Sequence, residues 1–319
     1  ALAYKGKMFW ITGDLSLRYL GGMYCTFVNM DRYKAMFEGD YGDLYDLVDD
    51  NLWTLEKMYS IAKDVSDDTD GDSVTDVYGL LYWVDAVYGV VNAAGQRMVT
   101  LNDTTDTYEL TLNTETTYNV LELFYNMTHD SRTSLMYQHN SAAKEYVATF
   151  SGNQALFFMT TIGTLSDFRD METDYGILPY AHYSERQTVY ESTVAPYYMN
   201  FLCVPLLVED EARTSAILEA IGSYSHEYII PAYYEKTLMG QYTRDEESAE
   251  MLDIIFANRA YDLGYCYQPA NLNKNLIYLL QSGSFDWSSR YASLEQPASI
   301  ILGVISEAYR RSLGITEEQ

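Results

Sequence analysis

The chain has 319 residues, with 20 Lys and Arg against 46 Asp and Glu, a formal charge of −26 at pH 7. Hydrophobic residues make up 48% and there are only 19 Gly and 6 Pro, which excludes a disordered, collagenous or low-complexity chain. So acidic a surface repels phosphate backbones and anionic membranes, and with no compact basic patch in the sequence nucleic acid is excluded as a partner.

In chain order, Met8 to Thr12 reads as a strand stopped by Gly13-Asp14, and Met23 to Asn29 as a second after Gly21-Gly22. Thr54 is placed to cap a helix from Leu55 to Asp64 that turns Leu55, Met58, Ile61 and Ala62 to one face. An acidic loop fills Asp64 to Asp76. The run Leu80 to Ala94 predicts a largely buried helix closed by Gly95. Met98–Leu101 and Tyr108–Leu112 are short strands, and Asn113 or Thr114 caps a helix carrying Val120, Leu123, Phe124 and Met127 at helical spacing. A helix over 142–150, a strand Ala155–Met159, a helix Thr164–Arg169 and a strand Tyr175–Leu178 complete an alternating pattern, the mark of an α/β layered fold.

Beyond Thr193, an apolar run from Tyr197 to Val204 ends at Pro205. Glu209 to Tyr224 predicts an amphipathic helix with Ala216, Ile217, Ala220 and Ile221 inward. Helices follow near 228–238, 245–257 and 272–280, and a last one from Pro297, a residue suited to a first turn, to Arg311.

Catalytic templates mostly fail. His129, His139, His182 and His226 sit in unrelated segments; His226-Glu227 opens like a zinc-protease helix, but Ile230 stands where the second ligand belongs. There is no GxSxG, P-loop or GxGxxG. Cys25, Cys203 and Cys266 are widely spaced and match no metal pattern or disulfide scaffold. No run reaches the roughly 18–20 apolar residues of a membrane span, and Lys5-Gly6-Lys7 interrupts anything like a signal peptide, so any targeting segment is expected to lie upstream.

Two features point to binding. In the loop 64–76, Asp68, Asp70, Asp72 and Asp76 around Gly71 could gather oxygen ligands for a structural Ca2+. The calcium-loop register is imperfect, with Ser66 at its first place and Val77 where a bidentate Glu belongs, and a solvated acidic turn is the competing reading. Tyrosine is abundant at 32 residues, and its ring with a polar tip suits the apolar but wet surfaces that bind carbohydrate. Tyr82-Trp83-Val84-Asp85 joins aromatic faces for a sugar ring to a carboxylate for its hydroxyls; the alternative is that Trp83 fills the core. Thr160, Thr161 and Thr164 lie in a strand-to-helix loop, the place where open α/β sheets bind ligands.

Several stretches in order along the chain resemble the family 1 extracellular solute-binding proteins, the receptors of ABC importers related to maltodextrin-binding protein. They are Gly6 to Asp14 with Phe27-Val28-Asn29; Trp53 to Lys57 with Asp70-Gly71-Asp72 and Tyr78-Gly79; Ala148 to Met159 with Asp174 to Pro179; and Pro231 to Glu235 with Arg244 to Ser248 and Met251 to Asp253. The resemblance implies an α/β, type II periplasmic-binding-protein fold with two hinged lobes, and no catalysis. It implies a first-lobe remnant and crossing at 1–29, the second lobe at 30–190, a return at 191–258 and a final crossing with C-terminal helices at 259–319. Members carry about a hundred more residues before the first crossing, so the first lobe is expected to be incomplete. Carried over by position, Asp14 is a sugar-contacting acid, Tyr82 and Trp83 an aromatic platform, and Tyr197 and Tyr198 face the cleft; the loop of Thr160 lacks the stacking Trp of many relatives. The expected partners are a carbohydrate and an ABC permease, with the protein a monomer, lipid-anchored at the cell surface or periplasmic. A glycoside-active enzyme and a calcium-stabilised surface module are the rivals.

Overall fold

The computed structural model describes residues 3–65, 67–137, 143–205 and 207–314. Ser66 and the expected helix start at 142 lie outside them.

Near the N-terminus, Met8 of the predicted strand Met8–Thr12 belongs with Lys7 to a two-residue strand antiparallel to Ala3–Tyr4, and Ile11 makes a single bridge to Leu202. A short helix α1 (Arg18–Gly21) leads into β1 (Tyr24–Asn29), and α2 (Leu55–Lys63) is capped as expected, Thr54 Oγ1 accepting the Lys57 N–H at 3.1 Å. Leu55, Met58, Ile61 and Ala62 are its buried face.

The next predicted element is corrected. Leu80–Ala94 is not one helix but β2 (Tyr78–Trp83) followed by α3 (Ala86–Ala93), with Asp85 at the break. A short apolar run covered on both sides has the same hydrophobic signature as a buried helix, so periodicity could not separate them. A short antiparallel pair, Val99–Asn102 with Thr107–Leu110, precedes α4 (Glu115–His129), and Thr114 caps that helix on the Thr117 N–H at 3.0 Å. Then come β3 (Ser134–Tyr137), α5 (Ala143–Ser151), β4 (Ala155–Thr161) and β5 (Tyr175–Leu178). The predicted helix Thr164–Arg169 is instead a 3-10 turn at Ile162–Asp167.

The five strands form one sheet in the order β3-β2-β4-β1-β5. β2 runs parallel to β3 and β4, whereas β1 is antiparallel to both its neighbours, pairing Tyr24 with Thr161 and Thr26 with Leu178. β1 and β4 are buried at every position, as inner strands covered on both faces must be. Alternation splits the core into two layers. Leu80 and Tyr82 pack with Trp53, Ile61 and Phe124 on one face, while Leu81 and Trp83 pack with Phe27, Phe150, Phe168 and Leu252 on the other.

The C-terminal third holds three more corrections. In α6 (Glu211–Tyr224) no residue is buried, and Ile217 and Ile221, expected inward, are about half exposed at 52% and 50%. Amphipathic spacing says which side of a helix is apolar, but not whether this polypeptide supplies the cover. The helix expected near 228–238 is wound in wide π turns over Ser225–Ile229 and Ala232–Tyr242. After α7 (Glu246–Ala257) and α8 (Leu272–Leu280), the last helix α9 spans Trp287–Ser312, with Pro297 inside it rather than at its start. Among the described residues no helix is long and apolar enough to cross a membrane.

Candidate functional site

Strand direction fixes where a site can form. The carboxyl ends of β2, β4 and β5 and the amino end of β1 all open on one edge of the sheet, where the chain turns into loops and helix starts. β2 delivers Asp85 there, β5 delivers Tyr180 two residues past its end, and β1 starts with Tyr24. The returning chain is pinned alongside by the Met23–Val194 bridge and by the Ala195 N–H, which donates to Gly22 O at 2.7 Å; this brings in Tyr197. Tyr88, one turn into α3, completes the group.

Asp85 is 2% exposed, and four tyrosines feel its charge. Burial first, and then the Asp85 carboxylate, push the phenols of Tyr24 and Tyr180 well above the ordinary tyrosine value. The Tyr197 phenol is raised in the same two ways, and that of Tyr88 by burial, by Tyr197 and by Asp85. Suppressed ionisation keeps these hydroxyls as donors. The Tyr24 and Tyr180 rings lie 5.6 Å apart, and Tyr88 packs on Tyr265 at 4.6 Å, with the Tyr265 hydroxyl donating to the Tyr88 carbonyl at 3.1 Å. Tyr24, Tyr88 and Tyr180 are fully buried, whereas Tyr197 is 53% exposed and forms the accessible rim. The result is a buried carboxylate surrounded by phenols, of which Tyr197 is the exposed one.

Of the residues singled out in the sequence, Asp85, Thr161 and Tyr197 meet at this edge. Thr161 is wholly buried and its hydroxyl has no hydrogen-bond partner among the described residues. The hydroxyls of Thr160 and Thr164 pair with each other at 3.1 Å. Tyr82 and Trp83 are almost covered: Tyr82 packs edge-on to Phe124 at 5.9 Å and Trp83 to Tyr146 at 5.7 Å. The structure thus places Trp83 in the core layer, the alternative its spacing had left open. Tyr198 takes the Arg18 guanidinium over its ring at 5.6 Å. Asp14 stands elsewhere, accepting from the Tyr19 hydroxyl at 2.8 Å and facing His226 Nδ1 at 2.7 Å.

Sequence reasoning missed Tyr24, Tyr88 and Tyr180. They are far apart along the chain, and only the antiparallel placement of β1 brings the first against the third. The available signal was a tyrosine at a strand end beside a loop, repeated in two strands.

In the acidic loop, Asp68, Asp70 and Asp76 bring carboxylate oxygens within 4.8 Å of one another, while Asp72 is not in that group. These carboxylates also fold the loop. Asp68 accepts from the Gly71 and Ser73 N–H groups, and hydrogen bonds from the Thr69 hydroxyl and N–H hold Asp76 below the usual carboxylate value.

No family model matches the sequence, and no curated protein sequence does. Solved structures do match. The sugar-binding protein MalE from Xanthomonas citri superposes with a TM-score of 0.63 at 12% identity, covering 99% of this chain and 75% of that one. A maltose/maltodextrin-binding domain MalE from Bdellovibrio bacteriovorus, bound to maltotriose, gives 0.54 at 14% identity over 97% and 74%. An ABC substrate-binding protein, Lmo0181 from Listeria monocytogenes, in complex with cycloalternan, gives 0.53 at 15% over 99% and 74%. At these identities the likeness is one of fold, and the fold is the α/β type II periplasmic-binding-protein architecture.

Proposed function

We propose that the chain is a non-catalytic receptor, capturing a carbohydrate, an oligosaccharide by preference, between two lobes and delivering it to the permease of an ABC importer. It would work as a monomer outside the cytoplasm, at the cell surface or in the periplasm. The observation that carries this reading is the Asp85 carboxylate set among Tyr24, Tyr88, Tyr180 and the exposed Tyr197 at the ligand-binding edge of a fold whose solved neighbours include sugar complexes. Phenols and a carboxylate offer donors and acceptors to sugar hydroxyls, and the Tyr197 ring offers an apolar face to the C–H side of the ring.

The chain spans about three quarters of the length of the solved structures it matches. Ile217, Ile221, Tyr224 and Tyr228 are exposed at helical spacing along α6 and the turn after it, the mark of a face made to be covered. Calcium at Asp68, Asp70 and Asp76 would be structural and remote from the sugar.

Calorimetric titration of oligosaccharides into this chain, and into a version extended upstream, tests the reading. Saturable binding without product is expected, weakened by Asp85→Asn and Tyr197→Ala. Glycan turnover, or binding indifferent to both substitutions, would overturn it.

A further inference from the structure

A separate pocket shares no lining residue with the Asp85 cluster. It is a cavity of about 370 Å³ where three stretches of chain converge: the approach to β1, the wide-turned helix after α6, and the end of α7 leading to Arg259. Its apolar side is made by Leu20, Ile230, Phe256 and Ala257. Its polar side is a fixed chain of contacts. Asp14 uses one oxygen on the Tyr19 hydroxyl at 2.8 Å and the other on His226 Nδ1 at 2.7 Å, and Arg259 donates through one terminal nitrogen to the same Tyr19 oxygen at 3.0 Å. The guanidinium also lies over the Tyr19 ring, 5.4 Å from its centre, so it is held in place with donors to spare. Asp253 receives the Tyr234 hydroxyl on one oxygen at 2.5 Å, and its other oxygen has no hydrogen-bond partner among the described residues.

We infer that this pocket is a binding site for a small zwitterion bearing both a carboxylate and an ammonium group, with an apolar side chain. The charges decide the class. Asp14 is committed to Tyr19 and His226, while Arg259 is an anchored cation and Asp253 an anchored anion, each making one side-chain hydrogen bond among the described residues. A simple anion would meet Asp253 and Asp14, and a simple cation would meet Arg259. A molecule carrying one charge of each sign satisfies both, through charge-assisted hydrogen bonds stronger than any a neutral polyol could make there. Leu20, Ile230 and Phe256 then receive its apolar part, and the volume falls in the range of small-ligand pockets.

The test is calorimetric titration of L-leucine into the 319-residue chain, beside leucinamide, which lacks the carboxylate, and N-acetyl-leucine, which lacks the ammonium. Leucine is expected to bind with one-to-one stoichiometry and each analogue at least tenfold more weakly. Asp253→Asn, at an exposed position where the fold is not at stake, and Arg259→Gln should each weaken leucine at least tenfold while leaving any oligosaccharide binding at Asp85 unchanged. Absence of leucine binding, analogues as good as leucine, or undiminished binding by both variants overturns the assignment. Leucine binding without oligosaccharide binding would sink only the carbohydrate reading, and the reverse only this one.

Discussion

Gly89 lies so close under the Tyr180 ring that a Cβ built on it would stand 2.4 Å from Cε2. The first turn of α3 and the end of β5 are thereby in backbone-to-ring contact, which sets Tyr180 beside Tyr24 and Asp85. Gly89→Ala is expected to push that ring aside. The cost is about 1–3 kcal/mol, the usual range for overpacking a filled core. A lowered denaturant midpoint with a weakened oligosaccharide titration checks it, and unchanged values for both would mean that Tyr180 moves freely.

Asp85→Asn removes the charge that helps hold four phenols neutral. Its effect on the Tyr24 and Tyr180 phenols is downward, although burial, the larger cause, still keeps them above the ordinary value. Spectrophotometric titration should therefore show tyrosinate appearing at lower pH in the variant. Oligosaccharide affinity should fall about tenfold, as expected where a charge-assisted bond worth roughly 1.5–3 kcal/mol becomes a neutral one.

The edge also shows how far sequence could be read. β1, β4, β5 and the caps at Thr54 and Thr114 were legible because each is decided within a few residues, by an apolar run or by one hydroxyl reaching an N–H. The break at Asp85 was not, since Leu80 to Trp83 and Ala86 to Ala93 are equally apolar and differ only in what covers them. Asp85 itself was singled out, but its companions Tyr24 and Tyr180 arrive from strands about 150 residues apart, a pairing that depends on sheet order. Ile217 and Ile221 were read correctly as an apolar face and incorrectly as a buried one.

His182 gives the fold a dependence on pH. It is fully buried, stacked on Tyr190 at 4.5 Å, with Nε2 at 3.2 Å from the Asn51 carbonyl, and burial lowers its pKa below the ordinary histidine value. The unfolded chain then takes up a proton more readily than the folded one as pH falls below that value, so stability present at neutral pH is lost on acidification. Thermal midpoints measured from neutral to mildly acid pH should fall in the parent and fall less steeply in His182→Gln. Equal slopes would remove His182 as the cause.

Calcium is tested by melting. If Asp68, Asp70 and Asp76 hold the ion, Ca2+ at a hundredfold excess over its dissociation constant adds about 2.7 kcal/mol of stability, and Asp70→Asn abolishes the gain. A midpoint indifferent to Ca2+ would leave the loop as a self-bonded turn.

The apolar stripe on α6 separates two descriptions of the chain. Ile217→Lys with Ile221→Lys should change the stability of these 319 residues by no more than about 0.5 kcal/mol per site, as at other surface positions. If a segment outside these residues covers the stripe in a polypeptide extended upstream, the same pair is costly there, because a buried lysine must be desolvated. Equal effects in both would show that nothing upstream covers the stripe.

Because β1 runs against its neighbours, the polypeptide enters this layered body at the very margin from which the 194–198 segment leaves it. Tyr24 belongs to the way in and Tyr197 to the way out. A guest gripping both would act as a rivet between the two strands of traffic, so single molecules stretched across those points should rupture at higher force when the guest is seated.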